Sequence, residues 1–303
     1  MSKKTNKATT GTDGGLVSRQ YAKRSRIGEI WHRMKRNKGA VISLGFVALL
    51  FLLMIYSFLF ISYDQVTATN PTLRFSTPSL EHPFGTDDLG RDLFLRTLYG
   101  IRYSLLIGIG AAAMSLAVGL VLGAIAGYFG GHIDNLIMRA TDILSSIPGM
   151  LLGMVIVAVL GQNLMNLLIA VSLPSIPRFA RMTRASVLTV SSQEFVEAAR
   201  AIGKSSFRII FTEVVPNGLS PIIVTTTTMV GTAILVAAGL SFLGFGVPVP
   251  TPEWGAMVSA GRAYIRAAPH LTYFPGLFIM ISALAINIMG DGLRDALDPK
   301  LKR

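Results

Sequence analysis

Five long runs without a Lys, Arg, Asp or Glu residue constrain this chain more than any other feature. They hold 24 to 39 residues each, at 39–63, 103–131, 143–177, 214–252 and 267–290. About 20 apolar residues in a helix cross the hydrocarbon core of a bilayer, so every run can span a membrane at least once. Because 51% of the residues are hydrophobic, 15% are charged and the mean hydropathy is +0.55, the chain belongs in a membrane.

The runs predict an all-α membrane protein with six transmembrane helices. Three of them, with 24 to 29 residues, give one span each. The 35-residue run is too long for one ordinary helix and carries a turn signal at Gly161, so we expect a pair of spans there. The 39-residue run gives one more span, and its Gly- and Pro-rich end, 239–252, is expected to be loop or re-entrant backbone.

The positions of Lys and Arg predict the orientation. If the N-terminus is cytoplasmic, 22 of the 28 basic residues fall in inner segments and six in outer segments. Cytoplasmic loops are enriched in Lys and Arg, so we expect both termini in the cytoplasm. The basic start of the chain is too long for a signal peptide, and the first span is therefore expected to remain as an anchor.

Composition also excludes several function classes. The net charge of +12 comes from residues that alternate with long apolar runs, which argues against a nucleic-acid-binding face. The absence of cysteine excludes disulfides, thiol catalysis and thiolate metal sites. The four histidines lie far apart along the chain, and we assign no metal and no catalytic residue.

A polar helical hairpin is predicted at 191–216, between the fourth and fifth spans. Ser191 and Glu194 have the spacing of a capping box that would start the first helix. Four residues recur at helical spacing and predict one apolar face: Phe195, Ala198, Ala199 and Ile202.

The hairpin is expected to turn at Gly203, which adopts the left-handed conformation without steric cost. A second helix is expected from Ser205 to Phe211, ending before Pro216. The pattern fits either an ordinary connector or a docking surface, on which the two adjacent alanines would let a partner backbone approach closely. Although 203–205 reads Gly-Lys-Ser, the glycine that a phosphate-binding loop needs five residues earlier is Ala198, so we expect no ATP site there.

The largest outer segment is predicted at 64–102. Thr86 is a plausible N-cap, and three leucines after it, Leu89, Leu93 and Leu98, suggest a helix lying along the outer surface. The nearby aspartates are explained by the dipole of a first helical turn rather than by a cation site.

Small and polar residues inside the predicted spans suggest which surfaces pack together and which line a pathway. Gly119, Gly123 and Gly127 place a bare face along the second span, which is typical of close helix packing and alternatively of a pore lining. Candidate pathway-lining residues are Asn163, Asn166, Thr225, Thr228 and Asn287. No carboxylate or histidine lies deep in a span, which argues against a proton-coupled carrier.

The hairpin resembles the cytoplasmic motif of permease subunits from bacterial ABC importers, which reads EAA, three residues, Gly, nine residues and I-x-L-P. Glu197, Ala198, Ala199, Gly203 and Pro216 match it at the right spacing, whereas Glu213 and Val215 replace the usual Ile and Leu. Three further segments, at 82–100, 238–257 and 287–303, resemble the second permease of dipeptide, oligopeptide and nickel importers. The resemblance covers nearly the whole chain from Arg36 onward.

This resemblance implies a type I importer permease fold in the bacterial inner membrane, without enzymatic activity of its own. It implies pairing with a homologous permease as a heterodimer, two ATP-binding subunits that carry ATP and Mg, and an extracytoplasmic substrate-binding protein. The chain itself would bind no cofactor, and its remaining surface would face lipid. The hairpin would be the coupling helix seated on one ATPase, and the pathway would carry peptides.

The expected organisation has five parts. They are a basic cytoplasmic tail at 1–38, an anchor helix at 39–63, an extracytoplasmic segment at 64–102, a core permease domain at 103–292 that holds the hairpin, and a cytoplasmic tail at 293–303. Three alternatives stay open at this point: a nickel-importing permease, an ion-coupled secondary carrier, and a membrane scaffold that transports nothing.

Overall fold

The computed structural model describes residues 26–297, and within this range the chain is helical with no strand beyond an isolated bridge between Thr86 and Asp92. This confirms the all-α prediction. The α-helices are α1 (Arg26–Met34), α2 (Lys38–Phe60), α3 (Tyr63–Thr67), α4 (Leu93–Phe129), α5 (Gly131–Ser145), α6 (Gly149–Leu160), α7 (Leu164–Ser172), α8 (Ile176–Ser191), α9 (Glu194–Ala201), α10 (Ser206–Ile209), α11 (Val215–Asn217), α12 (Leu219–Leu240), α13 (Trp254–Gly261) and α14 (His270–Leu297). The shorter turns are 3-10 at Pro71–Leu73, Leu173–Ser175 and Arg262–Tyr264, and π at Ile210–Val214 and Ser241–Phe245.

Four described helices are long and apolar enough to cross a membrane: α2, α4, α12 with its π turn, and α14. A fifth candidate is the pair α5 and α6, which is bent by 84° at the break before Pro148. The predicted pair of spans within 143–177 is built from the shorter helices α6 to α8, with the expected turn at Gly161, where φ is +90°. Length and composition therefore give four or five spans, fewer than the six predicted.

The glycine face of α4 packs directly on α8. A Cβ added at Gly119 would lie 2.4 Å from the Cβ of Phe179, and one added at Gly123 would lie 2.3 Å from the carbonyl oxygen of Ala180. At Gly127 the nearest atom would be the carbonyl oxygen of Arg184, at 2.9 Å. Because much of this contact is with the backbone of α8, larger side chains would force the helices apart.

The outer helix predicted after Thr86 begins later than expected, at Leu93, and Thr86 is not its N-cap. Gly85 and Gly90 adopt positive φ, so the segment between them turns instead of starting a helix. The Thr86 hydroxyl donates to the carbonyl of Leu73, and α4 is capped by the Asp92 carboxylate, which accepts from the Leu95 N–H at 2.8 Å. The 37 residues of α4 extend about 55 Å, so the predicted outer helix and the second span form one continuous helix.

Acidic residues of this segment are already paired. Asp87 accepts from the Arg91 side chain at 2.6 Å and lies 3.4 Å from Arg96, and Asp92 accepts from the His82 ring at 2.7 Å. Arg96 is buried and donates to the carbonyl of Val66 at 2.6 Å. The aspartates therefore hold the segment together instead of forming a cation site.

The chain after α12 folds back onto the start of α4. The Trp254 indole N–H donates to the carbonyl of Thr97 at 2.9 Å, and a Cβ added at Gly100 would meet the carbonyl oxygen of Pro252 at 2.7 Å. Glu253 is buried and caps α13 by accepting from the Gly255 and Ala256 N–H groups. The segment predicted as loop or re-entrant backbone is thus partly helical and tightly docked.

Both predicted tails lie partly outside the described residues. The basic segment 1–38 is described only from α1 onward, and the segment 293–303 only up to Leu297. Helix α1 packs on the end of α14. Met34 of α1, Ala40 of α2 and Ala296 of α14 form a small apolar cluster there.

Candidate functional site

The first helix of the hairpin turns where the sequence predicted, although it starts elsewhere. Gly203 has φ of +77°, and two backbone bonds close the helix end: Gly203 N–H to Arg200 O at 2.9 Å and Lys204 N–H to Ala199 O at 3.2 Å. The capping box is wrong, because the Ser191 hydroxyl donates to the Leu188 carbonyl of the preceding helix α8. The helix α9 instead begins after Gln193, without a side-chain cap bond.

The second helix of the hairpin does not end before Pro216. The helical course runs from Ser206 through the π turn to Asn217 and breaks only at Gly218. A proline inside an α-helix removes one N–H donor and crowds the carbonyl four residues before it. The wider π turn immediately before Pro216 accommodates that change, and the Asn217 amide donates to the carbonyl of Glu213 at 2.6 Å.

The predicted apolar face of α9 is also wrong in its membership. Val196 and Ala199 point inward and pack with Ile209, Ile210 and Val214 of the second helix. Phe195, Ala198 and Ile202 of the predicted face are exposed instead. The sequence correctly predicted a helix here. Apolar residues lie on two sides of this short helix, however, and only the side with Val196 and Ala199 faces the hairpin core.

Several apolar side chains of the hairpin are therefore exposed. Ile202 and Phe207 are 83% and 62% exposed, and Phe195 and Phe211 are also exposed. The small side chain of Ala198 lies exposed on the same helix as Glu197, which is exposed as well. We call Phe195, Ala198, Ile202, Phe207 and Phe211 the hairpin surface. An apolar patch of this kind marks an interaction site more often than an isolated exposed residue does.

The hairpin is stiffened by contacts that the sequence did not suggest. Lys204, beside the turn, donates to Glu213 at 2.5 Å and to Thr212 at 2.7 Å. This bond lowers the pKa of the Glu213 carboxyl. The departure from the family motif at Glu213 thus has a structural reason, because its carboxylate ties the second helix to the turn. Arg200 donates to the Tyr128 hydroxyl at 3.2 Å, which fastens α9 to the end of α4.

Two ion pairs join α5 to α8, the helix that leads into the hairpin. Arg184 binds Asp134 in a bidentate manner, with both N···O distances at 2.5 Å, and both side chains are partly buried. Arg181 lies 3.4 Å from Asp142 and donates to the Ser145 hydroxyl at 3.2 Å, and this pair is exposed. Opposite charges about 40 to 50 positions apart gave no recognisable sequence pattern, so sequence reasoning missed both pairs.

The polar residues predicted to line a pathway do not form one cluster. Asn163 caps α7 by accepting from the Asn166 N–H, and the Asn166 amide donates to the carbonyls of Leu160 and Gly161 at 2.8 and 2.9 Å. Both side chains therefore shape the turn between α6 and α7. In α12, the Thr225 and Thr228 hydroxyls donate to carbonyls of their own helix.

Asn287, another predicted pathway residue, lies at a cavity. This cavity, of about 410 Å³, lies between α12, α13 and α14 and is otherwise lined by apolar or glycine residues, among them Leu235, Phe242 and Met280. A Cβ added at Gly231 would lie 2.8 Å from the side-chain amide oxygen of Asn287, so α12 and α14 are close together at this point.

Comparison with known proteins decides the family. Residues 119–303 match the family described as "Binding-protein-dependent transport system inner membrane component", and residues 25–78 match "N-terminal TM domain of oligopeptide transport permease C". The chain belongs to this permease family. It is thus a multi-pass permease subunit of the inner membrane, and since such subunits are not themselves enzymes, the resemblance and the prediction of no enzymatic activity are confirmed.

Two relatives are similar to the permease over nearly its full length. The "Dipeptide transport system permease protein DppC" of Alkalihalophilus pseudofirmus is 47% identical over 283 residues, which is 93% of both chains. The "Glutathione transport system permease protein GsiD" of Escherichia coli is 45% identical over 274 residues, which is 90% of both chains.

A solved structure shares the fold of the permease. A chain of the inward-facing MetNI methionine ABC transporter aligns with a TM-score of 0.55, covering 68% of this chain and 98% of its own, at 18% identity. At this identity the likeness concerns the fold alone.

Proposed function

We propose that this permease forms half of the pathway of an ATP-driven importer for dipeptides or oligopeptides. Two observations support peptides as the cargo: the names of the relatives refer to a dipeptide and to glutathione, itself a small peptide, and the N-terminal segment matches an oligopeptide permease family. The single observation that carries the transport role is the family match over residues 119–303.

The proposed topology has six spans with both termini in the cytoplasm. The placement of 22 of 28 basic residues on one side supports this orientation. The two spans beyond the four long helices would lie within the uncharged run 143–177, one in α6 after its bend from α5 and one in α7 with the start of α8. The basic residues of α5 and α8 then stay on the cytoplasmic side. The anchor at 39–63, the outer segment at 64–102 and the core domain at 103–292 follow from this topology.

The proposed partners are a second, homologous permease, two ATP-binding subunits with their ATP and Mg, and an extracytoplasmic binding protein. In this arrangement the hairpin surface docks in a groove of one ATP-binding subunit. Its exposed Phe and Ile side chains give the contact its apolar area, while Ala198 permits close approach of the partner and Glu197 can accept a hydrogen bond from a partner Arg.

The hairpin would act as a rigid lever. The turn at Gly203 and the Lys204–Glu213 pair fix its two helices relative to each other. Its first helix follows α8 and its second leads into α12. A displacement of the docked hairpin would therefore move both neighbouring helices together, and nucleotide binding on the partner would bias the pathway between two states.

The pathway itself would be lined by residues of α12 and α14. Asn287, which lines the otherwise apolar cavity, and the Thr225 and Thr228 positions are our candidates, whereas the amides of Asn163 and Asn166 already satisfy backbone groups of the α6–α7 turn. A lining of few polar groups would leave selection of the cargo to the binding protein.

Docking is tested by paired substitutions in the assembled importer. Ala198→Trp should prevent ATP-binding subunits from co-purifying and abolish uptake, because the added ring occupies the space of the partner. The matched control is Ala263→Trp, an exposed alanine beyond α13. Gly203→Val is expected to act similarly by straining the turn, and its control Gly244→Val strains another glycine with positive φ and open space around it. Normal subunit assembly and uptake in Ala198→Trp would refute the docking assignment.

The cargo is tested with the reconstituted importer. Labelled dipeptides, tripeptides and pentapeptides should accumulate in proteoliposomes only when ATP and the binding protein are present. Nickel ions serve as the competing cargo. ATP-dependent accumulation of nickel without that of any peptide would overturn the peptide assignment while leaving the importer assignment intact.

A further inference from the structure

A short basic segment lies where the chain enters the membrane. Helix α1 ends at Met34 and α2 begins at Lys38, with Asn37 as its cap. Helix α2 is long and apolar enough to cross a membrane, and most of its surface is not buried within the chain, so this surface is free to face lipid or a partner subunit. The contact of Met34 with α14 holds α1 beside this entry point. A span that begins at Lys38 places residues 31–38 at the boundary between hydrocarbon and headgroups.

The side chains of this segment suit such a boundary. Trp31 is 42% exposed, and the Lys35 ammonium lies 4.9 Å from the centroid of its ring. Tryptophan is enriched at membrane interfaces because its ring is apolar and its N–H is polar. Lys35, Arg36 and Lys38 are exposed and, among the residues described, are in no ion pair. The exposed aspartates on the nearby end of α14, Asp291 and Asp295, leave the segment with a positive excess.

We propose that Trp31, Lys35, Arg36 and Lys38 form a binding surface for anionic phospholipid headgroups. The three cations would lie at the level of the lipid phosphates, and the Trp31 ring would lie where the acyl chains meet the headgroups. Anionic membrane surfaces attract basic segments of this kind, and each Lys or Arg near the surface strengthens that attraction about fivefold. Binding would hold α1 flat on the membrane beside α14. The proposal is independent of the cargo that the permease carries.

The two tryptophans of the chain provide the test. Trp254 is 0% exposed, whereas Trp31 is exposed, so a quencher attached to lipid acyl chains should act mainly on Trp31. The full-length chain is reconstituted in vesicles that contain either dibrominated phosphatidylglycerol or dibrominated phosphatidylcholine at the same mole fraction. We expect severalfold stronger quenching by the anionic lipid, and Trp31→Phe should remove the difference.

A variant with Lys35, Arg36 and Lys38 all changed to Gln should reduce quenching by phosphatidylglycerol to the level of phosphatidylcholine. Arg266→Gln, an exposed basic residue distant in sequence, is the matched control and should keep the preference. Equal quenching by the two lipids in the unsubstituted chain would overturn the proposal. So would a preference that survives in the triple variant or in Trp31→Phe.

Discussion

Replacement of Gly123 by alanine is the sharpest test of how this chain packs. The added Cβ would lie 2.3 Å from the carbonyl oxygen of Ala180 and 2.7 Å from the Cβ of Thr183. Ordinary contact begins at 3.4 Å, so α4 and α8 must separate by the difference of 1.1 Å. Neither contact atom can rotate away, because one is backbone and the other is the first atom of a β-branched side chain.

The expected cost follows from these distances. Overpacking of a filled contact costs about 1 to 3 kcal/mol, and we take the upper value because the clash involves backbone. Alanine in place of glycine in a helix contributes about 1 kcal/mol in the opposite direction. We therefore expect Gly123→Ala to lower the free energy of unfolding by about 2 kcal/mol.

The assay is reversible unfolding of the full-length chain in mixed micelles, titrated with a denaturing detergent and followed by circular dichroism. Gly45→Ala is the matched control, since Gly45 lies in α2 with no heavy atom within 4 Å of an added Cβ. It isolates the helix-propensity gain and should leave the chain as stable or slightly more stable. The packing argument fails if the two variants have the same free energy of unfolding.

Three further predictions use the same assay. Asp134→Asn should cost about 1 kcal/mol, and the reversed pair Asp134→Arg with Arg184→Asp should recover part of it; no recovery would mean that the charges do not interact. Trp254→Phe should cost about 1 kcal/mol, because it removes the indole hydrogen bond to the Thr97 carbonyl; an unchanged midpoint would contradict this. Burial raises the pKa of Glu253 above its ordinary 4.5, so the folded chain binds this proton more tightly than the unfolded chain. Stability should fall as pH rises above 4.5, and Glu253→Gln should flatten that slope.

The membrane-spanning character of the chain was predictable, and the exact number of spans was not. Long uncharged runs report burial in lipid directly, which is why α2, α4, α12 and α14 were located from composition alone. The run at 143–177 is different, because Pro148 and Gly161 divide it into helices too short to read as spans. Charge-free length shows that a segment lies in the membrane, but its path there depends on packing against neighbouring helices.

A residue suited to capping does not by itself locate the start of a helix. Ser191 and Glu194 have the spacing of a capping box, yet the Ser191 hydroxyl belongs to the end of α8. Thr86 looks like an N-cap, yet the glycines around it turn the chain and Asp92 caps α4. In both places a residue suited to capping competed with another local arrangement, and the competing arrangement was the more stable.

Helix α8 connects the hairpin to the packed helices α4 and α5, and both regions take part in the proposed mechanism. One of its faces lies against the glycines of α4, where there is no free space, and its end leads within two residues into α9 of the hairpin. The Asp134–Arg184 pair adds α5 to the same unit. Since close-packed helices move together rather than deform, a displacement of the docked hairpin should shift α4, α5 and α8 as one body. Gly123→Ala should therefore reduce uptake per ATP hydrolysed, even under conditions in which the variant remains folded and keeps its partners. Unchanged coupling in a folded, assembled Gly123→Ala importer would show that the α4–α8 contact serves stability alone.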